Sequence, residues 1–485
     1  MSLAALTRSS GWEKVKVGAA LRLINGRAFK PSEWRTDGLP IIRIQNLNNP
    51  EAPFNYYDGE LPSKFLIDEG DLLFAWSGTP GTSFGAHVWR GGKAWLNQHI
   101  FKVLFDENEF DKRFLQFAIN QNLEEYIRAA HGAAGLAHIT KGRFEESELP
   151  KPDLDEQREI VAEIEKQFTR LEAGVAGLRR VQANLKRYRA AVLKAACEGK
   201  LVPTEAEVAR QEGRSYETGA QLLERILTER RRKWKGKGKY KEPERPDTTK
   251  LPALPQGWSV ASVDQLSCHI TSGSRDWSQF YGKGRGTFIL AQNVRPMHLD
   301  LSERQSVDAP EGDAETERTR VVVNDLLVTI VGAKTGDVCR VPLDLTDHYV
   351  CQSVALVRPV LATCARFAEL YLASQENGQA QWKRYIYGQG RPHLSFEQLR
   401  MTAVLFPPLA EQQRIVAEVD RRLSVVEELE AVVNANLQRA TRLRQSILQC
   451  AFEGRLVRAG RIERTSLTDD LPIAAESPAT YRHAK

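Results

Sequence analysis

LDEQREIVAEIE at residues 154–165 and LAEQQRIVAEVD at residues 409–420 open two segments of one design. The first runs on to AAVLKAACEGKLV (190–202) and the second to QSILQCAFEGRLV (445–457). Ile160 pairs with Ile415 and Gly199 with Gly454, both 255 positions apart, so no net insertion separates them. Between Asp155–Val202 and Ala410–Val457, 16 of 48 positions are identical, six in the first nine and six in the last ten. Chance supplies only a few. The chain was built by duplication, and the repeats read as long helices.

Asp155 suits an N-cap ahead of Glu156 and Glu159, whose charges favour a helix start. Apolar residues then recur at Ile164, Phe168, Leu171, Val175, Leu178, Val181, Leu185, Tyr188 and Val192. The steps of three and four make a heptad seam with one irregularity near Leu178. Gly199 is a natural stop. A helix of this extent spans ~65 Å at 1.5 Å per residue, and its apolar stripe needs a cover. The second copy offers Val419, Leu423, Val426, Val433, Leu443 and Ile447 at matching places. Mutual pairing as an antiparallel coiled coil is the economical arrangement.

At 485 residues the chain is too long for one core. No apolar run approaches the roughly 18 residues of a membrane span, and MSLAALTRSSGWEK lacks a secretory leader pattern. A cytoplasmic protein without membrane contact is expected. The six cysteines form no CxxC or Cys/His metal spacing, which predicts reduced structural thiols and no metal. The net charge of +6 is concentrated: Glu229–Lys241 holds eight basic residues and one acidic. A solvated linker and a phosphate-contacting patch both fit that run.

The order of segments predicts an α/β chain: a domain over 1–153, a first spacer helix over 154–202, a connector over 203–256, a second domain over 257–408, a second spacer helix over 409–457 and a disordered tail over 458–485. The first domain shows β-type runs at 39–47, 70–78 and 94–105, then a helical pattern from Phe110 to about Ala130 with Phe114, Phe117, Ala118, Tyr126 and Ile127 on its apolar face. The connector holds a short helix over Ala220–Trp234 and the polar run KGKGKYKEPERPDTTK, expected to be loose. The second domain repeats the first. Trp258 answers Trp12, Gln292–Asn293 answers Gln45–Asn46, Asp325 answers Asp71, Gln352 answers Gln98, and His393 answers His138. Residues 295–320 find no counterpart.

Catalytic motifs are missing. GAKTG (332–336) lacks the glycine spacing of a phosphate loop, and GKGRG (282–286) precedes no helix pattern. FPPL (406–409) carries Phe where an amino-methyltransferase needs a polar residue, and the Glu198-Gly-Lys200 triplet ends a helix without nuclease context. No HExxH, GxSxG or spaced His/Asp ligand set occurs.

Two divergent α/β domains, each followed by a helix opening EQxxIVAE and closing EGxLV, resemble the specificity subunit of type I restriction–modification systems. PKPDLDEQREIVAEIE, FPPLAEQQRIVAEVD, the CEGKLV and FEGRLV ends, LLERILTERRRKW and LPQGW carry the resemblance over nearly the whole chain. It implies a non-catalytic reader of double-stranded DNA. Two target recognition domains would each read half of an asymmetric bipartite site, and the helices would set the gap. It also implies two modification subunits that methylate adenine with S-adenosylmethionine, and restriction subunits driven by ATP and Mg2+; this chain would hold no cofactor. A stand-alone methyltransferase or endonuclease, and a coiled-coil scaffold without DNA specificity, are the rival readings.

Candidate DNA-binding residues fall in two groups. Gln45, Asn46, Gln98 and His138, with Gln292, Asn293, Gln352 and His393, recur in both domains, and recurrence favours a structural role because the two halves should read different bases. Arg43, Trp76, Ser77 and Thr79 in the first domain, and Lys334, Thr335 and Arg391 in the second, occur in one copy only and suit specificity better.

Overall fold

A computed structural model describes residues 11–49, 52–78, 84–122, 137–234, 236, 238–248, 251–273, 276–386 and 392–457. It forms two compact units, one made of Met1–Arg179 with Asn434–Lys485 and the other of Arg180–Val433. The first unit is therefore assembled from two separate stretches of chain and the second from one continuous stretch.

In the first unit, strand Glu13–Lys16 pairs antiparallel with Glu148–Lys151, so the first and last strands of the domain lie side by side. A four-stranded antiparallel sheet runs Arg22–Asn25, Ile100–Leu104, Leu72–Ala75, Gly85–Val88. A second sheet runs Asn55–Tyr57, Leu39–Ile42, Ala94–Leu96, Leu66–Ile67, its two middle strands parallel. Helix Lys112–Gln121 packs beside Gly85–Val88 and buries Phe114, Phe117 and Ala118. Its cap is Asp111, whose carboxylate accepts from the N–H groups of Arg113 and Phe114. Tyr126 and Ile127 lie outside the described residues.

The second unit repeats this plan. Ser259–Ser262 pairs antiparallel with Ala403–Phe406, and the four-stranded sheet runs Ser267–Ser272, Val354–Pro359, Leu326–Thr329, Val338–Arg340. The mixed sheet runs Gln305–Val307, Tyr281–Ile289, His348–Val350, the last two parallel. Leu72–Ala75 and Leu326–Thr329 are buried at every position, as strands covered on both faces must be.

The long helices are Leu154–Cys197 and Leu409–Phe452. In the first unit Ile160, Ile164 and Phe168, from the start of the first helix, share one core cluster with Ile447, Ala451 and Phe452, from the end of the second. Arg444 lies over the Phe168 ring at 4.1 Å and pairs with Glu172 at 3.1 Å. In the second unit Val192, Leu193 and Ala196, from the end of the first helix, share a core with Ile415, Val419 and Leu423, from the start of the second. Arg189 reaches Glu430 at 3.2 Å. Within each unit the two helices thus run antiparallel.

The motif residues at the helix ends have distinct tasks. Trp12 Nε1 donates to Glu156 at 3.0 Å and Trp258 Nε1 to Glu411 at 2.8 Å. Gln157 Nε2 donates to the Pro152 carbonyl and Gln412 Nε2 to the Pro407 carbonyl. The Glu-Gln pair therefore ties each helix to both strands that bracket its domain. Gly199 and Gly454 close the helices at φ of +68° and +70°, and Leu201 with Val202, like Leu456 with Val457, packs onto the adjoining core.

Several expectations are corrected. The cap of the first helix is Asp153, not Asp155: its carboxylate accepts from the Glu156 N–H at 2.8 Å. Val181, Tyr188 and Leu443, placed on the seam, are exposed. The run 39–47 is not one strand, because Ile44–Asn48 turns into a short helix. The connector is more ordered than its composition suggests. Capping boxes start its helices at Thr204 and Thr218, Arg230 donates to Tyr240 Oη, and Ser262 Oγ donates to the Glu244 carbonyl. Within 295–320, Gln305–Val307 holds the place that Asn55–Tyr57 holds in the first unit.

All six cysteines are free thiols, and burial pushes Cys197 up to about 12. Among the described residues no helix is long and apolar enough to cross a membrane.

Two glycines of the first helix should respond oppositely to alanine. A Cβ at Gly177 meets nothing within 4 Å, so Gly177→Ala should raise stability by about 0.5–1 kcal/mol. At Gly199 the Cβ would meet Pro255 Cγ at 2.7 Å in a left-handed backbone, so Gly199→Ala should cost at least about 1–2 kcal/mol. Urea unfolding of the two variants checks both signs.

Candidate nucleic-acid interface

Each unit gathers four chain segments at one mouth. In the first unit the strand Leu72–Ala75 continues through Trp76 into Ser77–Gly78, which pairs with Ala137–His138. The Trp76 N–H donates to the His99 carbonyl at 3.3 Å, and the Trp76 carbonyl accepts from the Ile139 N–H at 3.0 Å. The fourth segment joins through the parallel strands: the Asn97 N–H donates to the Ile42 carbonyl at 3.3 Å, just before Arg43 and the helix Ile44–Asn48.

The second unit makes the same bonds at matching positions. The Ile330 N–H donates to Ser353 O at 2.8 Å, the Leu394 N–H to Ile330 O at 2.9 Å, and the Cys351 N–H to Ile289 O at 3.0 Å. Val331 bridges to His393. Trp76 thus answers Ile330, His99 answers Ser353 and Arg43 answers Leu290. The frames agree while the side chains differ.

The recurring asparagines belong to the frame. Asn46 Oδ1 accepts from the Arg43 N–H and Nδ2 donates to the Ala52 carbonyl. Asn293 Oδ1 accepts from the Leu290 N–H while Nδ2 donates to the carbonyls of Asp300 and Glu303. Both are buried, and both lock the turn after a parallel strand, where an open backbone needs partners. The glutamines beside them, Gln45 and Gln292, are exposed. Asp71 and Asp325 are a further frame pair. Asp71 accepts from the Asp68 N–H and Lys102; Asp325 accepts from the Val322 N–H and both ends of the Arg358 fork. Burial raises the Asp325 carboxyl above its usual range against the pull of Arg358.

Side chains at the first mouth are aromatic and basic. Trp76 donates to Asn25 Oδ1 at 3.2 Å, meets His99 edge-on at 5.1 Å and stacks on Phe101 at 5.8 Å. Gln98 Nε2 lies 3.1 Å from His99 Nε2. Arg43 lies over the Trp34 ring at 5.4 Å. Arg27, which sequence reading passed over, bridges to Asn97 and sits over Phe29 at 4.7 Å and Tyr57 at 5.2 Å while pairing with Glu33. Its signal was the aromatic spacing around it, which has no period to notice.

At the second mouth, Lys334, Gln352 and His393 are exposed. Thr335 is occupied in the turn, its hydroxyl donating to Gly332 O at 2.6 Å with Pro392 O at 3.1 Å. GAKTG leads into strand Val338–Arg340 rather than a helix. Thr79 and Arg391 lie outside the described residues, and His138 is described for its backbone alone.

Residues 9–175 match the family model for the type I restriction modification DNA specificity domain. Over 473 residues the chain is 27% identical to the EcoBI type I restriction enzyme specificity subunit of Escherichia coli, covering 95% of this chain and 90% of that one. It is 23% identical over 475 residues to the EcoKI specificity subunit of Escherichia coli K12, covering 94% and 92%. A solved structure from work on complex assembly and conformational transition of the type I R-M system aligns with TM-score 0.59 and 20% identity, over 92% of this chain and 98% of that one. That likeness shows a shared fold.

The two halves of the Gln-Asn pair should separate on mutation. Asn293→Ala leaves one N–H and two carbonyls without their partner and should cost about 2–4 kcal/mol, whereas exposed Gln292→Ala should stay within about 0.5 kcal/mol. Thermal unfolding of both variants measures the difference.

Proposed function

We propose that the chain acts as a specificity subunit of a type I restriction–modification system and that its two mouths read the two unlike halves of a bipartite DNA site. The observation that carries this is the duplicated frame: the same backbone bonds hold Trp76, His99 and Arg43 in one unit and Ile330, Ser353 and Leu290 in the other. A common frame with different side chains suits two readers of different base sequences, since base edges in the major groove are told apart by side-chain donors and acceptors. In this reading Arg43, Gln45, Trp76, Ser77, Gln98 and the His138 loop face the first half-site. Gln292, Lys334, Gln352 and His393 face the second, and Asn46, Asn293 and Thr335 hold the turns. Arg43 has the chemistry for a guanine: a guanidinium resting on Trp34 keeps its fork of N–H donors for O6 and N7.

In this reading the long helices set the gap between the half-sites and dock the modification subunits. Val425, Leu429 and Val432 on the second helix, with Val181 and Tyr188 on the first, are exposed apolar residues at helical spacing, a pattern that calls for a protein partner. Methyl transfer with S-adenosylmethionine, and ATP-driven restriction where it occurs, belong to the partner subunits. This chain supplies sequence choice and no catalytic group. The domain limits 1–153 and 257–408 mark what would be exchanged to alter one half-site at a time.

Methylome sequencing of a host with and without the chain tests the reading, and the motif should vanish without it. Arg43→Ala should relax or shift one base pair in one half-site, at about 1–3 kcal/mol of discrimination, and leave the other half unchanged. A change in both halves would refute the assignment. Adding one heptad to each long helix at matched positions within 164–192 and 419–447 should lengthen the gap and keep both half-sites. Methylation by the purified chain with S-adenosylmethionine alone would favour a stand-alone enzyme. Absence of sequence-selective, salt-dependent binding by the chain with its modification partner would favour a scaffold.

A further inference from the structure

A second cationic feature of Arg180–Val433 lies away from the mouth. Helix Gly219–Lys233 ends in Arg230, Arg231, Arg232 and Lys233, and the following chain brings Tyr240 edge-on to Trp234 with ring centroids 5.8 Å apart. An open groove of about 790 Å3 lies between this turn, the start of strand Ser267–Ser272 and helix Phe396–Met401.

Its floor is built around one carboxylate. Arg230 and Arg400 approach the same Oδ1 of Asp264, at 3.5 Å and 3.0 Å. Two guanidiniums on one carboxylate leave a net positive charge, and this one is fixed in place. Arg230 is 14% exposed, donates from Nε to the Ser267 carbonyl at 2.8 Å and from Nη1 to Tyr240 Oη at 2.7 Å, and lies over the Tyr240 ring. The rim adds Lys239 and Lys241, both exposed, and Trp234, which is 40% exposed. Acidic neighbours answer part of this charge: Glu397 lines the groove, Glu244 lies 3.7 Å from Lys241, and Glu242 pairs with Arg231. These are solvent-exposed pairs, which bind weakly and yield to a stronger anion.

We propose that this groove binds the phosphodiester backbone of duplex DNA beside the second half-site, outside the recognised bases. The proposal rests on the reading of the chain as a DNA reader and adds where flanking DNA is held. Its position decides between base and backbone. His269, on the groove, lies within strand Ser267–Ser272, and Gly273, whose N–H donates to the Cys351 carbonyl next to Gln352, directly follows that strand four residues on. Four residues of strand cover ~13 Å, about four base-pair steps of duplex at 3.4 Å each. A rigid arginine floor with flexible lysines on the rim suits phosphates, which fix register and carry no sequence.

The test uses the full chain assembled with its modification subunits and two duplexes. Both contain the target; one extends well beyond the second half-site and the other stops there. Lys239→Glu with Lys241→Glu changes two exposed side chains. On the long duplex the variant should bind roughly ten- to a hundredfold more weakly at 0.1 M salt, with the slope of log K against log salt shallower by about 2. On the short duplex it should match the parent, its methylated motif should be unchanged, and Lys239→Arg with Lys241→Arg should restore binding. Equal binding of the long duplex by variant and parent would overturn the proposal. So would an equal loss on both duplexes, or failure of the variant to assemble with its partners, which would assign the groove to a protein contact. Absence of sequence-selective binding by the parent itself would overturn the underlying reading as well.

Discussion

The larger core of each unit is closed by the start of one long helix and the end of the other. Ile160, Ile164 and Phe168 join Ile447, Ala451 and Phe452 in the first unit; Ile415, Val419 and Leu423 join Val192, Ala196 and Cys197 in the second. Burying each large apolar side chain among these is worth about 1.5–3 kcal/mol, so neither core is complete without chain from both repeats. This is why the identities between the copies crowd at the two ends. Residues at a helix start must fit the core of their own domain, and residues at its end must fit the core of the other. The middle answers to neither, and there Val181 and Tyr188 are exposed and Gly177 meets no neighbour.

The same economy governs the mouths. The turns are held by main-chain bonds and by buried Asn46 and Asn293, groups that stabilise a loop whatever its exposed side chains are. Trp76 can hold the position that Ile330 holds in the other repeat, and His99 that of Ser353, because the bonds at those positions come from the backbone. Specificity and stability are thereby assigned to different atoms. An exposed side chain at the mouth can change with little effect on the core, and a core residue can change with little effect on which bases are met.

What was legible in the sequence was local or repeated. Periods of three and four marked both long helices, and the fixed 255-residue offset marked the duplication, because both signals are carried by near neighbours or by identity itself. Heptad counting placed Val181, Tyr188 and Leu443 on the seam because it assumes a partner at every turn; they are exposed, while Leu185, Val426 and Val433 in the same middle stretch are buried. Asp155 lost the cap to Asp153, two residues earlier, because the Asp153 carboxylate is the one that meets the Glu156 N–H. The bond from Trp12 to Glu156 joins residues 144 apart. Trp12 and the Glu-Gln pair were each visible as repeated features, and nothing in one dimension said that they touch.

The two anchors are chemically alike and unequally buried. Trp258 and Glu411 meet in the interior, and Glu411 Oε2 also accepts from the Glu205 N–H at 2.8 Å. Burial raises the Glu411 carboxyl above its ordinary range. Burial also works against the charge on Glu205, but hydrogen bonds from Arg414 and Arg214 outweigh it and hold that carboxyl below its range. Trp12 and Glu156 make the corresponding bond nearer the surface. The connector therefore does more than join two repeats. By setting Glu205 between Arg214 and Arg414 it covers the start of the second helix with its own hydrogen-bonded lid, and it carries the arginines of helix Gly219–Lys233 to a fixed place beside the second recognition domain. The charged run that composition marks as solvated linker begins in the second of two helices started by capping boxes, after a buried Glu205 held by two arginines, and Arg230 within it is fixed by its bonds to Tyr240 and Ser267.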